Sequence, residues 1–175
     1  MEKKVGQNGF KWEKMHIFDD RKAKRRMSYP IGHFSCKLDA KGRLMVPSDF
    51  KEQLGVQAEE GFVLRPGLFN TCLELFTRKD WDEVQDKLRT SLSPFNPQHE
   101  AVIRKYNAGA RFAKLDANGR LQIPKELIER TSLVKEVVIS SVTTKMEIWD
   151  KGLYEKTVES LDNDLFLKVL SENIK

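Results

Sequence analysis

Residues 37–47 read Lys37-Leu38-Asp39-Ala40-Lys41-Gly42-Arg43-Leu44-Met45-Val46-Pro47, and residues 114–124 read Lys114-Leu115-Asp116-Ala117-Asn118-Gly119-Arg120-Leu121-Gln122-Ile123-Pro124. Eight of the eleven positions are identical at a single offset of 77 residues, and Val46/Ile123 is a conservative ninth match. Agreement this dense at one offset marks an internal repeat, so the fold is expected to consist of two copies of one unit.

Working outward from the motif, Phe34, Cys36 and Leu38 alternate onto one face of a strand. Asp39-Ala40-Lys41-Gly42 fits a type I turn, with Asp first and a left-handed Gly fourth. Arg43–Val46 returns as a second strand with Leu44 and Val46 turned inward. Asp116–Gly119 and Arg120–Ile123 repeat the design. Pro47 and Pro124 each lead a short helix with acids near its N-terminus, and Gly55 is a stop signal for the first. Strands at 61–64 and 72–76 then correspond to strands at 137–139 and 145–149. Each copy reads strand, turn, strand, helix, strand, strand, which makes the chain an α+β protein.

Between the copies, Trp81, Val84 and Leu88 have helical spacing over 80–92, with Asp80 as the expected cap. Residues 93–97 (Ser-Pro-Phe-Asn-Pro) are a break, and 99–108 read as a second helix. After the second copy, Leu161, Leu165, Val169 and Leu170 predict one terminal helix able to pack on a neighbour. The expected division is a basic leader at 1–29, a first unit at 33–80, a helical connector at 81–109, a second unit at 110–153 and a C-terminal helix at 154–175.

With 175 residues, 39% hydrophobic and 33% charged, the composition is that of a globular chain. No window approaches the roughly 18 apolar residues of a membrane helix, and charges stand where a signal peptide would be apolar. A cytoplasmic chain with no membrane partner is therefore expected. Cys36 and Cys72 are too few for a disulfide scaffold and read as reduced core thiols. His33 and Cys36 have ligand-like spacing without a second pair, so neither a metal nor a cofactor is expected. The net charge of +5 is uneven: residues 1–27 hold nine bases against four acids, while the rest balances 22 against 22. The run 21–26 reads as a solvated tail, as a nucleic-acid arm, or as a stretch upstream of an alternative start at Met27. Within the body, 104–125 carries six bases and one acid, a strip suited to phosphate contact.

Asp39 and Asp116 have a sufficient structural role, accepting the N–H groups of their own turns beside Gly42 and Gly119. Arg43 and Arg120 do not, because the turn does not require an Arg after its Gly. Either each closes its hairpin with the Asp, which is worth little when exposed, or it presents a donor fork to phosphate or to guanine O6/N7. Lys37, Lys41 and Lys114 flank the loops as phosphate contacts that set register. No nucleophile–base constellation or phosphate-cradling glycine loop is present, and no enzyme is expected.

Two Asp-x-x-Gly-Arg loops, each leading into a strand and a Pro-led helix, resemble the MraZ transcriptional regulators, a two-copy branch of the SpoVT-AbrB (AbrB-like) fold. The resemblance covers roughly 30–153. It implies two tandem swapped-hairpin (β-β-α-β-β) units forming a pseudo-symmetric, β-barrel-like core with connecting and C-terminal helices. It also implies a bacterial, nucleoid-associated repressor that binds double-stranded DNA as a ring-like homo-oligomer. Its target would be short G-containing direct repeats upstream of its own gene, in a cell-division and cell-wall cluster. Carried over, the DNA-facing residues are Lys41, Arg43 and Arg120, with Lys37 and Lys114 beside them. Asn118 departs from the pattern set by Lys41, and the leader has no counterpart. Two other readings stand beside this one: a structural ring with intersubunit Asp–Arg pairs, and an AbrB-type antitoxin, which would carry one copy and a toxin-binding tail.

Overall fold

The computed structural model describes residues 29–174, so the basic leader up to residue 28, with its three readings, lies outside the described residues. The first repeat contributes β1 (His33–Lys37), β2 (Arg43–Met45), α1 (Ser48–Leu54), α2 (Val56–Glu60), β3 (Phe62–Pro66) and β4 (Leu73–Thr77). Helices α3 (Arg78–Ser91) and α4 (Pro97–Asn107) follow. The second repeat contributes β5 (Arg111–Ala113), β6 (Arg120–Gln122), α5 (Lys125–Arg130), β7 (Glu136–Val142) and β8 (Lys145–Asp150), and α6 (Lys151–Glu159) and α7 (Asn163–Asn173) end the chain.

The repeats are interleaved. One antiparallel sheet runs β1-β7-β8-β4-β3-β5, and β2 pairs with β6 in a separate ladder. If β1 is matched with β5, β3 with β7 and β4 with β8, the sheet order maps onto itself, so it has pseudo-two-fold symmetry. The first strand of each unit pairs with the other unit: β1 lies on β7, with Phe34 opposite Ile139, and β5 lies on β3, with Val63 opposite Phe112. Within each unit the strand pairing of the hairpin is reduced to an isolated bridge, Leu38 to Leu44 and Leu115 to Leu121. Neither unit completes its own sheet.

The barrel is not closed. Among the described residues, strands β1 and β5 are free edges of the large sheet, because the three-residue β2 and β6 pair with each other instead of bridging those edges. Under this small ladder lies the main core, with Leu44, Phe50, Phe62, Leu64 and Ile123 wholly enclosed and Leu121 and Leu127 nearly so. Each such side chain contributes about 1.5–3 kcal/mol of burial. A second cluster (Val63, Phe76, Val84, Leu88, Tyr106) joins the other face of β3 and β4 to α3 and α4.

Pro47 occupies the N-cap position of α1, and Gly55, at φ +56°, ends it. Three local expectations need correction. The cap of α3 is Thr77, whose Oγ1 accepts the Asp80 N–H and donates to Asp80 Oδ2 at 2.6 Å. Asp80 is thus the third helical residue, because the helix begins directly at the end of β4. Helix α2 had no sequence signal. The tail is two helices, since Asp162 accepts the Leu165 N–H and starts α7 afresh; neither α6 nor α7 buries a residue. Among the described residues, no helix is long and apolar enough to cross a membrane.

Candidate nucleic-acid interface

Each repeated loop is a self-braced turn. Gly42 N–H donates to Asp39 O at 2.9 Å, and Asp39 N–H to Arg43 O at 3.0 Å, while Gly42 takes φ +75°. Asp39 Oδ1 accepts the N–H groups of Lys41 and Arg43, both at 2.9 Å, and Oδ2 accepts Arg43 Nε at 2.7 Å. The second loop repeats every contact. Asp116 Oδ1 accepts the Asn118 and Arg120 N–H groups at 2.8 and 3.0 Å, and Oδ2 accepts Arg120 Nε at 2.8 Å. Gly119 takes φ +73°. One carboxylate thereby shapes the turn with one oxygen and aims the guanidinium with the other. The Arg43 side chain beside Asp39 holds its carboxyl down to about 2. The Arg120 amide, followed by its side chain, lowers Asp116 in the same way.

The two loops are brought together by the β2–β6 ladder, in which Arg43 faces Gln122, Leu44 faces Leu121 and Met45 faces Arg120. Since cross-strand partners share a face, Leu44 and Leu121 point into the core while Arg43, Met45, Arg120 and Gln122 point outward. Arg43 and Arg120 are diagonal neighbours, which places them about 7–8 Å apart. Both arginines are partly exposed, and the Arg43 Nη1 and both Arg120 Nη groups make no hydrogen bond among the described residues. At the ladder's two ends, Gly42 O accepts Ile123 N–H at 2.8 Å, and Gly119 O accepts Val46 N–H at 3.2 Å. Each turn is therefore tied to the other unit.

The remaining sequence candidates are placed differently. Lys41 is exposed at the tip of the first loop, and Asn118 at the tip of the second. Lys37 ends β1 opposite Glu136 of β7. The stem of Lys114 lies over Gly61, where an added Cβ would sit 3.0 Å from its Cγ. The basic strip of 104–125 is not uniformly free, since Arg104 pairs with Glu100 and Arg111 with Glu126.

Sequence reasoning missed two groups at this surface. Gln122 Nε2 donates to Lys41 O at 2.9 Å and lies 3.2 Å from Gly42 O, bracing the first loop from the opposite unit. Met45, its counterpart, cannot brace the second loop in this way. Lys51, on α1, reaches across to Gly119: a Cβ added there would lie 2.6 Å from Lys51 Nζ. The offset of 77 could have drawn attention to both positions, but only the strand exchange explains their reach. Among the described residues no group of three or more His, Cys, Asp and Glu could hold a metal ion.

The chain matches the family described as "MraZ protein, putative antitoxin-like" over residues 31–105 and again over 107–172. A Flavobacterium psychrophilum protein named transcriptional regulator MraZ is 44% identical over 138 residues, covering 79% of this chain and 87% of that one. The Christiangramia forsetii protein of the same name is 42% identical over 134 residues, covering 77% and 86%. A more distant one from Clostridium acetobutylicum is 34% identical over 144 residues, covering 82% and 95%.

Proposed function

The chain belongs to the MraZ family, and from that premise we propose that it is a DNA-binding transcriptional regulator that represses the promoter of its own gene cluster. The observation that carries this reading is the pair of Asp-anchored arginines, displayed side by side on the outward face of the β2–β6 ladder. Asp39 holds Nε and Nη2 of Arg43 and Asp116 holds Nε of Arg120, while Arg43 Nη1 and the Arg120 Nη groups make no hydrogen bond among the described residues. A fork fixed in this way suits a phosphate oxygen or the O6/N7 edge of guanine. The diagonal register sets the two arginine backbones about 7–8 Å apart, on the scale of two base pairs at about 3.4 Å of helix axis each. Lys41 adds a phosphate contact, and Lys37 and Lys114 extend the charge along the neighbouring strands. Asp39, Gly42, Asp116 and Gly119 shape the loops.

One protomer offers few contacts of this kind. Repeating the loops around a homo-oligomer, over tandem G-containing sites, raises effective concentration without any new contact. A cytoplasmic, nucleoid-associated protein follows from this reading.

Fluorescence anisotropy with a duplex from upstream of the gene, beside a scrambled duplex, tests the proposal. Wild type should prefer the native duplex and weaken steeply with salt. Arg43→Ala and Arg120→Ala should each lose that preference, by about 1–3 kcal/mol per bidentate contact, with assembly intact. Equal, weak binding to both duplexes, unchanged by either substitution, would overturn it. Disassembly of the arginine variants would instead favour a scaffold held by intersubunit Asp–Arg pairs.

A further inference from the structure

The repeat is imperfect at the loop tips, and the imperfection has a counterpart in the helices. Lys51 and Ile128 occupy corresponding positions at the 77-residue offset that relates the two motifs. The exchanged ladder places each against the other unit's loop glycine. A Cβ added to Gly42 would lie 2.9 Å from Ile128 Cδ1, and one added to Gly119 would lie 2.6 Å from Lys51 Nζ. Thus the same helical position overhangs the opposite loop in both halves. Over the first loop, which carries Lys41, the overhanging side chain is apolar. Over the second loop, where Asn118 replaces that lysine, it ends in an ammonium. Each loop has one cation at its tip, supplied locally in one case and from the other unit in the other.

The Lys51 ammonium has no structural employment that would account for it. It makes no ion pair among the described residues. The carboxylate of the second loop, Asp116, is already occupied by Arg120 and by two backbone N–H groups. Lys51 is also only partly buried.

We propose that Lys51 is a nucleic-acid contact of the second loop, binding a backbone phosphate in place of the lysine that Asn118 replaces. The proposal rests on the DNA-binding reading above and adds a residue outside the repeated motif. A lysine acts here as a point charge, so it contributes to affinity and register and not to base choice.

The test uses the full chain, with anisotropy measured on the native and scrambled duplexes across a salt series. Lys51→Gln should weaken binding to both duplexes by a similar factor. It should also lower the slope of log K against log salt by about one for each second loop in contact. Lys41→Gln should do the same through the first loop. Asn118→Lys in the Lys51→Gln background should restore both affinity and slope, and should gain more there than in wild type, because the two cations serve one phosphate. A merely structural Lys51 would not be rescued by a charge on the loop.

Wild-type affinity and slope in Lys51→Gln, while Arg120→Ala loses binding, would overturn the assignment and leave the regulator reading standing. If both arginine variants bind as wild type does, the regulator reading fails and the Lys51 assignment fails with it. Should Lys51→Gln fold poorly, equal gains from Asn118→Lys in the wild-type and Lys51→Arg backgrounds, each as large as a full added contact, would also overturn it.

Discussion

Gly42 and Gly119 hold almost the same backbone angle, φ +75° and +73°, yet they tolerate a side chain differently. A Cβ on Gly42 would meet Ile123 O at 2.8 Å and Ile128 Cδ1 at 2.9 Å; on Gly119 it would meet only the flexible end of Lys51. Either Ala substitution carries the left-handed penalty of about 1–2 kcal/mol. Gly42→Ala must also move the Ile123 backbone carbonyl, just past the end of β6. It should therefore destabilise the protein by at least about 1 kcal/mol more than Gly119→Ala, read from urea midpoints at equal slope. Asp39 allows a second prediction at this scale. Its folded carboxyl is depressed to about 2, so the bracing it provides is complete above the ordinary carboxylate range and is lost as pH falls toward 2. The Arg43 Nε–H resonance should stay protected at pH 4 and broaden into exchange near pH 2, while Asp39→Ala should expose it at every pH. Contacts of this i, i+4 kind are legible in a sequence because the turn brings Asp and Arg together locally. Gln122 and Lys51 act across some 70 to 80 residues of chain, and only the exchange of strands reveals them.

At the scale of elements, the sequence marks a strand at 72–76, and β4 is enclosed on both faces, Glu74 included. Glu74 and Glu147 lie opposite each other on β4 and β8, near the pseudo-two-fold axis, and both are buried. Like charges in direct register repel. Here Lys145 contacts both carboxylates, Arg65 lies 3.5 Å from Glu74 and over the Tyr106 ring, and Trp149 Nε1 donates to Glu147 at 3.0 Å. Two acids and two bases make the cluster neutral. Its enclosure depends on Tyr106 of α4 and on strands from both repeats, so strand periodicity alone could not separate a buried Glu from a solvated one. Glu74→Ala would leave Arg65 and Lys145 facing a single carboxylate. Breaking a buried pair from one side costs about 3–5 kcal/mol, so the variant should unfold at much lower denaturant than Leu75→Met, a volume-conserving control at the neighbouring position.

For the whole molecule, the duplication made the two-unit α+β architecture legible, whereas the open barrel and the divided tail were not, because strand closure and helix docking depend on partners that periodicity does not specify. The tail bears on assembly. Leu165, Phe166, Val169 and Leu170 fall at i, i+1, i+4 and i+5 of α7, one stripe, with exposures of 51%, 46%, 49% and 36%. Among the described residues nothing buries this stripe, and in the proposed homo-oligomer a second copy of the chain would supply the apolar surface that does. Charging the stripe in Leu165→Glu/Val169→Glu should shift sedimentation toward smaller species and leave the circular dichroism of the sheet unchanged, since neither residue touches the core. DNA affinity should then fall by the lost effective concentration, tens-fold or more for linked loops, while the ratio of native to scrambled binding per loop is preserved. Retention of full assembly by this double variant would place the contacts between copies elsewhere, at the free edges of β1 and β5, where unpaired N–H and C=O groups offer a second route to association.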